Sequence, residues 1–357
     1  MKRILILSDD SFALRKFRAE LIGTMLRSDM EVILATPAGD NAAQLEAMGC
    51  KLIDTKADMR KSNRELTAGY RQILCSEKPD MVVTYGLRPN ICGGNACRKE
   101  NIPHCANIQN PGRLTRRSVP SYLLLLQYRL ALRKTKAVFF ENASGAAFFT
   151  GKKIVKAEQQ VILPGAGVNL QLHTLQPYPE NDTVRFLYLG RMKQEKGTDE
   201  LLSAIKMLYD DCYEVRLDLV GEADAAYDEQ LAPLKEMGIV VVHGFQNDPR
   251  PYYAACDCVV MPSHSEGMNN VLLEAAATGR PVIGSYIPGC REAMDEGHTG
   301  FTFRNQDKYA LYEAMRRIAA MPRAQREEMG LAGRKRMEEL FDRQTVVEDT
   351  MNAIFRT

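Results

Sequence analysis

Long apolar runs and paired cysteine motifs are features that this 357-residue sequence lacks. No segment approaches about twenty uninterrupted apolar residues, so we expect no membrane-spanning helix. The opening decapeptide, MKRILILSDD, has too short an apolar part for a signal peptide, and we predict a first β-strand there. The nine cysteines include no C-x-x-C pair. This pattern favours reduced thiols in a cytoplasmic protein over a metal site or a disulfide framework.

Several catalytic and cofactor motifs are also missing. The sequence contains no Walker A motif, no H-E-x-x-H, no G-x-S-x-G, and no metal-like spacing among its five histidines. GAGVNL at 165–170 begins like a dinucleotide fingerprint, but Leu170 stands where the third glycine is needed. We therefore expect no NAD, no bound metal and no other cofactor, and nucleic acid is not an expected partner.

The net charge of +2 hides an uneven distribution of charge along the chain. Residues 1–168 contain 26 Lys and Arg against 15 Asp and Glu, whereas the remainder contains 21 against 30. This asymmetry predicts two domains with different partners. The basic residues either solubilise the first half or attract anionic lipid headgroups or a phosphate-bearing acceptor. The composition leaves both interpretations open.

Strand-like and helix-like segments alternate through the first half of the chain. Strands are predicted at 3–8, 31–36, 51–54 and 81–84, with helices at 15–27, 42–48 and 66–76. Such alternation is typical of an α/β protein with a parallel sheet that is covered on both faces. Ligands of these folds bind beyond the carboxyl ends of the strands. We therefore expect the loops 8–11, 85–90 and 107–117 to face the binding site.

A Pro- and Gly-containing strand end at 161–169 and the polar stretch 173–183 mark a link between domains. Strands are then predicted again at 185–189, 215–220, 239–243, 258–261 and 281–284. We predict a first domain of residues 1–168, a second of residues 169–340, and a terminal helix within 341–357 that packs back on the first domain.

The apolar segment Tyr122–Arg133, YLLLLQYRLALR, has basic residues on both sides: Arg113, Arg116, Arg117 and Lys134. One interpretation is a helix of the core that covers the sheet. The other is an interfacial helix that dips into a bilayer, since a leucine-rich face with basic flanks suits that environment. The sequence alone does not separate them.

The stretch Met261–Gly284 combines a strand end, a loop and a short helix that Gly279 terminates. If the helix starts near Asn269 or Asn270, its first amides and the positive end of its dipole face the loop. Such an end binds anions such as a diphosphate. Glu266 in the loop and Glu274 in the helix are placed to accept hydrogen bonds from sugar hydroxyls. The stretch therefore predicts a nucleotide-sugar site.

SEGMNNVLLEAAATGRPVIG, in which seven residues separate the two glutamates, resembles the signature of the family-four retaining glycosyltransferases of the GT-B fold. Other segments resemble motifs of the same family: LYLGRMKQEKG at 187–197, LVGE at 219–222, HGFQND at 243–248 and PGCREAMDEGHTGF at 288–301. FRAELI at 17–22 and RPNICGGNACR at 88–98 resemble the bacterial polysaccharide and lipid-linked oligosaccharide branch. The resemblance implies two Rossmann-like parallel-sheet domains that face each other across a cleft.

The resemblance also implies roles for individual residues. Arg191 and Lys196 would bind the donor diphosphate and offset charge on the leaving group, Glu274 would accept from the ribose hydroxyls, and Glu266 from the donor sugar. Glu266, Arg191 and Lys196 are thus the expected catalytic residues. The other expected donor-binding residues act mainly through their backbone: Gly221, Phe245, Gly267, Met268, Asn269 and Asn270. The expected acceptor-binding residues belong to the first domain: Arg88, Asn90, Arg113, Arg116 and Arg117.

Two positions depart from the pattern of the family. Asn269 stands where many relatives have a proline. In the first domain, SDDSF at 8–12 lacks the glycine pair of many members, and Tyr85 stands where a histidine often lies.

The activity implied is transfer of a sugar, with retained anomeric configuration, from a nucleotide diphosphate sugar (UDP before GDP) to a saccharide acceptor. In the family picture the donor phosphate helps to deprotonate the acceptor hydroxyl. The expected acceptor is polyprenyl-diphosphate-linked, at the cytoplasmic face of an anionic membrane that the enzyme contacts peripherally. The alternatives are a sugar-nucleotide epimerase of the same fold and a non-catalytic subunit that binds nucleotide sugars.

Overall fold

The computed structural model describes residues 1–56, 60–110, 112–115 and 118–356. The chain divides into two units. Met1–Ala166 and Gln344–Thr357 form the first unit, and Gly167–Arg343 forms the second.

The first unit contains a seven-stranded sheet in which every neighbouring pair is parallel. Its strands are β1 (Arg3–Ser8), β2 (Glu31–Thr36), β3 (Lys51–Asp54), β4 (Met81–Tyr85), β5 (His104–Ile108), β6 (Ala137–Phe140) and β7 (Gln160–Ile162). Its order is β3-β2-β1-β4-β5-β6-β7. The helices are α1 (Ser11–Arg27), α2 (Asp40–Ala47), α3 (Asn63–Glu77), α4 (Gly94–Glu100), α5 (Val119–Ala131) and α6 (Ala143–Gly151).

Both faces of the centre of this sheet are buried, which explains why β1 and β4 are nearly continuous apolar runs. Successive side chains of a strand point to opposite faces. Accordingly Leu5 and Leu7 belong to one apolar cluster, and Ile4 and Ile6 belong to another. Helix α3 begins with a capping box, in which Ser62 and Glu65 satisfy each other's backbone amides.

The second unit contains a six-stranded parallel sheet. Its strands are β8 (Val184–Leu189), β9 (Val215–Val220), β10 (Val240–Gly244), β11 (Cys258–Met261), β12 (Val282–Ser285) and β13 (Gly300–Phe303), in the order β10-β9-β8-β11-β12-β13. The helices are α7 (Thr198–Asp210), α8 (Asp228–Glu236), α9 (Arg250–Ala255), α10 (Asn270–Ala277), α11 (Lys308–Ala319) and α12 (Arg323–Leu340). In both sheets the order runs 3-2-1-4-5-6, which is that of a Rossmann-like domain.

The last helix, α13 (Arg343–Phe355), packs on the first unit. Val346, Val347 and Ile354 belong to the same apolar cluster as Ile4 of β1. Lys136 Nζ donates a hydrogen bond to the Ile354 carbonyl over 3.0 Å. The chain therefore returns to its first sheet at the end.

Most predicted strands and helices match the structure within a few residues, but three strands were not assigned from the sequence. These are β5, β6 and β13. The predicted helix at 122–133 is α5, and the core interpretation holds for one face only. Ser121, Tyr128 and Ala131 are buried, whereas the opposite face is exposed. Among the described helices, none combines the length and apolarity needed to cross a bilayer.

Candidate functional site

In the second sheet, the strand order reverses between β8 and β11, and a loop follows each of these strands. Ligands of doubly wound sheets bind at the carboxyl ends of the strands beside such a point. The two loops contact each other through their backbones. The His264 amide donates to the Glu195 carbonyl over 3.0 Å. A Cβ on Gly197 would lie 2.1 Å from the Pro262 carbonyl oxygen, so this approach requires a glycine.

Lys196 and Glu266 form an ion pair across these two loops. Lys196 Nζ lies 2.7 Å from Glu266 Oε1, and the two side chains are 29% and 16% exposed. Both groups are therefore partly accessible to a ligand, and a pair of this exposure adds only about 0–1 kcal/mol to stability. The structure brings together a cation suited to a phosphate and a carboxylate suited to sugar hydroxyls.

Helix α10 begins directly after this pair. Asn269 is its N-cap, and its Oδ1 accepts a hydrogen bond from the Leu272 amide over 3.3 Å. The Asn269 amide donates to the Gly289 carbonyl over 2.9 Å, which ties the helix start to the loop after β12. An asparagine thus serves this position as a cap, a role that proline lacks. The buried Oδ1 of Asn270 has no hydrogen-bond partner among the described residues.

Glu274 lies one turn further along α10 and is almost fully buried. Its Oε2 accepts a hydrogen bond from the Tyr253 hydroxyl over 2.8 Å. Burial, and then the charge of Glu274, raises the pKa of Tyr253 well above its ordinary value, so the hydroxyl remains a donor. Sequence reasoning missed Tyr253, because it was one aromatic residue in a short helical stretch, and only the fold places α9 beside α10.

Three further predicted donor residues share the carboxyl edge of this sheet. Arg191 is exposed, and its carbonyl accepts from the buried Tyr188 hydroxyl over 2.8 Å. Gly221 has φ +139°, and a Cβ there would lie 2.1 Å from the Gly190 carbonyl oxygen. Phe245 follows β10 with 57% of its surface exposed. The structure places these residues at the ends of β8, β9 and β10, whereas Gly267 and Met268 are buried between Glu266 and the cap.

In the first unit the corresponding reversal of strand order lies between β1 and β4. Tyr85, at the end of β4, is buried, and the Arg18 guanidinium lies 5.1 Å from its ring centroid. Arg18 also pairs with the buried Glu141, with 3.5 Å between Nη2 and Oε1. Burial raises the pKa of the Tyr85 hydroxyl. Tyr85 is thus part of a buried cluster that supports the ends of β4 and β6.

Asp9 is an acidic residue at this point that sequence reasoning did not select. Gly86, with φ +100°, packs closely against Asp9: a Cβ on Gly86 would lie 2.1 Å from Asp9 Oδ1. Burial raises the pKa of the Asp9 carboxyl above its ordinary value, although Arg88 opposes the change. A carboxyl with a raised pKa at a switch point is a candidate functional group.

The predicted acceptor residues have mixed surroundings. Asn90 is buried; its Oδ1 accepts from Thr84 over 2.6 Å and its Nδ2 donates to the Asn107 carbonyl over 2.7 Å. Protein groups thus contact both ends of this amide, and its role toward an acceptor stays a prediction. Arg88 donates to Asn63 Oδ1 over 3.3 Å and to the Lys61 carbonyl. The Arg113 side chain and the whole of Arg116 and Arg117 lie outside the described residues.

The second unit matches one family of known proteins. Residues 183–321 match the family described as "Glycosyl transferases group 1". The capsular polysaccharide biosynthesis glycosyltransferase CapM of Staphylococcus aureus is 32% identical over 172 residues, which cover 47% of this chain and 45% of CapM. A glycogen synthase of Mycobacterium tuberculosis is 30% identical over 177 residues, 48% of this chain and 42% of that protein. The chain thus spans less than half the length of these relatives.

Solved structures match over the whole chain. Anabaena HepE, in complex with UDP and glucose, has a TM-score of 0.79 at 17% identity and covers 100% of both chains. A sucrose-phosphate synthase from Thermosynechococcus elongatus has a TM-score of 0.82 at 20% identity, covering 100% of this chain and 98% of that one. At such identities the similarity concerns the fold.

The fold is therefore that of the GT-B glycosyltransferases, with two Rossmann-like parallel-sheet domains in one chain. More particularly, residues 183–321 of the second unit are similar to the group 1 glycosyl transferases. These findings confirm the predicted fold class and the resemblance to glycosyltransferases.

Proposed function

We propose that this protein is a retaining glycosyltransferase that transfers a sugar from a nucleotide diphosphate sugar, with UDP preferred to GDP, to a saccharide acceptor. The observation that carries the proposal is the Lys196–Glu266 pair, 2.7 Å apart, beside the start of α10 in the region similar to the group 1 glycosyl transferases. The preference for UDP is supported by HepE, a protein of this fold that was crystallised with UDP and glucose.

Each donor-side residue has a role that its position supports. Lys196, together with the exposed Arg191, would bind the diphosphate and offset the negative charge that develops as it leaves. The amides at the start of α10 and the positive end of its dipole would add to this field. Glu266 would accept hydrogen bonds from the donor sugar, and Glu274, positioned by Tyr253, from the ribose hydroxyls.

In the proposed reaction the acceptor hydroxyl oxygen forms a bond to the anomeric carbon as the bond from that carbon to the phosphate oxygen breaks. The hydroxyl proton passes to the departing phosphate, so the nucleotide diphosphate leaves with it. Attack occurs on the face from which the phosphate departs, which retains the configuration. The residues contribute orientation and electrostatic stabilisation, and neither metal nor cofactor is needed.

The proposed acceptor is a saccharide of bacterial surface polysaccharide synthesis that is linked to a polyprenyl diphosphate. The similarity to CapM, a capsular polysaccharide biosynthesis glycosyltransferase, supports this pathway. The excess of Lys and Arg in residues 1–168 supports a phosphate-bearing acceptor. It also supports peripheral contact of the first unit with the cytoplasmic face of an anionic membrane.

Thermal denaturation with UDP, GDP and ADP tests the donor site. A ligand at a hundred times its Kd stabilises the folded state by about 2.7 kcal/mol, which raises the melting temperature by several degrees. We expect UDP to give the largest rise, with GDP and ADP below it. If none of the three nucleotides raises the melting temperature, the proposed donor site is wrong.

Incubation of the protein with UDP-sugars, with and without a lipid extract, distinguishes transfer from its alternatives. A transferase forms a sugar-bearing lipid only when the extract is present. An epimerase converts the sugar nucleotide without any acceptor, and a binding subunit leaves it unchanged. The same reaction in the presence of EDTA tests the expectation that no metal is required; loss of turnover that Mg²⁺ restores would overturn it.

A further inference from the structure

Helix α5 has an exposed face that is almost entirely apolar. Five side chains on it are between 47 and 73% exposed: Val119, Tyr122, Leu123, Leu126 and Leu130. Their spacing of three, four, seven and eleven residues places them in one stripe along the helix. We call these five residues the α5 stripe. Solvent exposure of adjacent large apolar side chains marks an interaction surface.

The α5 stripe is not the face by which the helix packs on the sheet. Ser121, Tyr128 and Ala131 are buried on the opposite face, and Leu124 and Leu125 pack against the same apolar cluster. The helix therefore already has the core contacts that hold it in place. The apolar stripe is additional to what folding requires.

The sequence around the stripe is basic. Residues 101–140 contain seven Lys and Arg and no Asp or Glu. Arg129 lies on the helix three residues after Leu126, and Arg133 and Lys134 follow its end; all three are exposed.

Basic groups also lie on the other flank of the helix. Gln127 accepts a hydrogen bond from Asn63 Nδ2 over 3.4 Å. Asn63 Oδ1 in turn accepts from Arg88, which also donates to the carbonyl of the exposed Lys61. On this flank Arg88 is thus linked to the helix through Asn63.

We propose that the α5 stripe and its basic border are the surface by which this protein lies on a membrane of anionic lipids. A helix with an apolar face and cationic flanks inserts its apolar side chains at the level of the acyl chains while the cations pair with headgroup phosphates. The charged residues that the described structure places beside the stripe, Arg129, Arg133 and Lys134, are all cations, so they offer no carboxylate to pair with the same border of a second copy. Charge complementarity therefore favours anionic lipid over self-association. This inference rests on the proposed lipid-linked acceptor for its biological purpose, but binding itself needs no substrate.

The test is co-sedimentation of the full chain with vesicles of phosphatidylglycerol mixed with phosphatidylcholine, and with vesicles of phosphatidylcholine alone. We expect binding to the anionic vesicles that weakens as salt is raised, because salt screens the headgroup charge. In the Leu123→Gln/Leu126→Gln variant the partition coefficient should fall by about tenfold or more, since each leucine loses its apolar insertion. Glutamine keeps the helix propensity of leucine.

The matched control is Leu331→Gln/Leu340→Gln, which changes two exposed leucines of α12 in the second unit. It should bind vesicles as the unchanged protein does. In Arg129→Gln/Arg133→Gln/Lys134→Gln the preference for anionic over neutral vesicles should disappear. The charge-matched control for this variant is Lys235→Gln/Arg304→Gln/Lys335→Gln, at three exposed residues of the second unit.

Three results would overturn the proposal. One is a protein that stays in the supernatant with anionic vesicles at low salt. Another is equal binding by the Leu123→Gln/Leu126→Gln variant and its control. The last is a protein that binds no vesicles and forms a dimer in sedimentation equilibrium, where the Leu123→Gln/Leu126→Gln variant is a monomer. The stripe would then be an interface between two copies of the protein. Nucleotide-induced thermal stabilisation of the same variants reports on the donor site separately, so failure of one proposal is distinguishable from failure of the other.

Discussion

The two units share a strand order, yet the groups at their reversal points are organised differently. In the second unit the ion pair of Lys196 and Glu266 lies between two loops whose backbones contact each other. In the first unit the Arg18–Glu141 pair is buried beneath Tyr85, and the carboxyl that packs at the loop is Asp9, against Gly86. The second unit thus presents a matched cation and carboxylate to solvent, whereas the first keeps its pair inside.

The different exposure of the two ion pairs agrees with the different ligands proposed for the two units, a diphosphate for the second and a saccharide for the first. A diphosphate is recognised by helix amides and a few cations, and all of these lie within short segments after β8 and β11. A saccharide acceptor has no such fixed charge and needs polar side chains that vary with its structure. Under the proposed function, the donor groups of the second unit are fixed by close backbone contacts, whereas an acceptor would be bound by side chains from several loops of the first unit.

The largest effect should come from the exposed pair of the second unit. In Lys196→Met and in Glu266→Gln we expect turnover to fall by roughly 10²- to 10³-fold, because each loses a group that acts on developing charge or on the donor sugar. The measurement is the initial rate with UDP-sugar and acceptor. Lys206→Met is the matched control, since it removes another lysine of this unit that is paired with an aspartate. Rates within threefold of the control would place the donor site elsewhere.

A smaller effect should come from the buried hydrogen bond between Tyr253 and Glu274. Tyr253→Phe removes the hydroxyl donor to Glu274, and we expect UDP to bind about fivefold more weakly, which corresponds to roughly 1 kcal/mol for one hydrogen bond. Turnover at saturating donor should change little. Calorimetric titration with UDP measures the affinity. Tyr252→Phe, whose ring packs on His243, is the control; equal UDP affinities for the two variants would argue against a positioning role for Tyr253.

The smallest effect concerns the first unit and depends on pH. Because the folded state raises the pKa of Asp9, the stability that its protonated form supplies is present at acid pH and is lost as pH rises through the folded pKa. Asp9→Asn should therefore melt slightly higher than the unchanged protein at neutral pH. The difference should vanish as pH falls towards the ordinary Asp pKa of about 3.9.

The control for this pH series is Asp29→Asn, at an exposed aspartate of the same unit with φ +54°, a conformation that asparagine tolerates. If Asp9 serves the acceptor, Asp9→Asn should also slow transfer without weakening UDP binding. Weaker UDP binding by Asp9→Asn would contradict the assignment of donor binding to the second unit alone.

Local sequence patterns predicted the regular parts of both sheets and the donor loop. The helix predicted at 270–278 is observed as Asn270–Ala277, and strand 258–261 matches β11. Strands such as β1 and β11 are found because burial on both faces leaves an uninterrupted apolar run. β6 was missed because a run of only four apolar residues, Ala137–Phe140, shows no period that separates a strand from a buried helix segment, and β5 was missed because His104 begins it and Asn107 interrupts it. The His104 ring contacts the Thr135 hydroxyl, which only the tertiary structure brings beside it.

By itself the sequence determined an α/β chain of two parallel-sheet domains, because strand and helix periodicities are encoded within short segments. Helix-start chemistry predicted a nucleotide-sugar site with Glu266 and Glu274, and the family resemblance added Lys196 to that prediction. Only the tertiary structure decided that Tyr253 donates to Glu274, that Asn90 is bonded on both sides in the interior, and that α5 turns five apolar side chains outward. Those facts depend on which helix packs beside which strand. Contacts between residues distant in sequence arise from the packing of the whole unit, so no local pattern contains them.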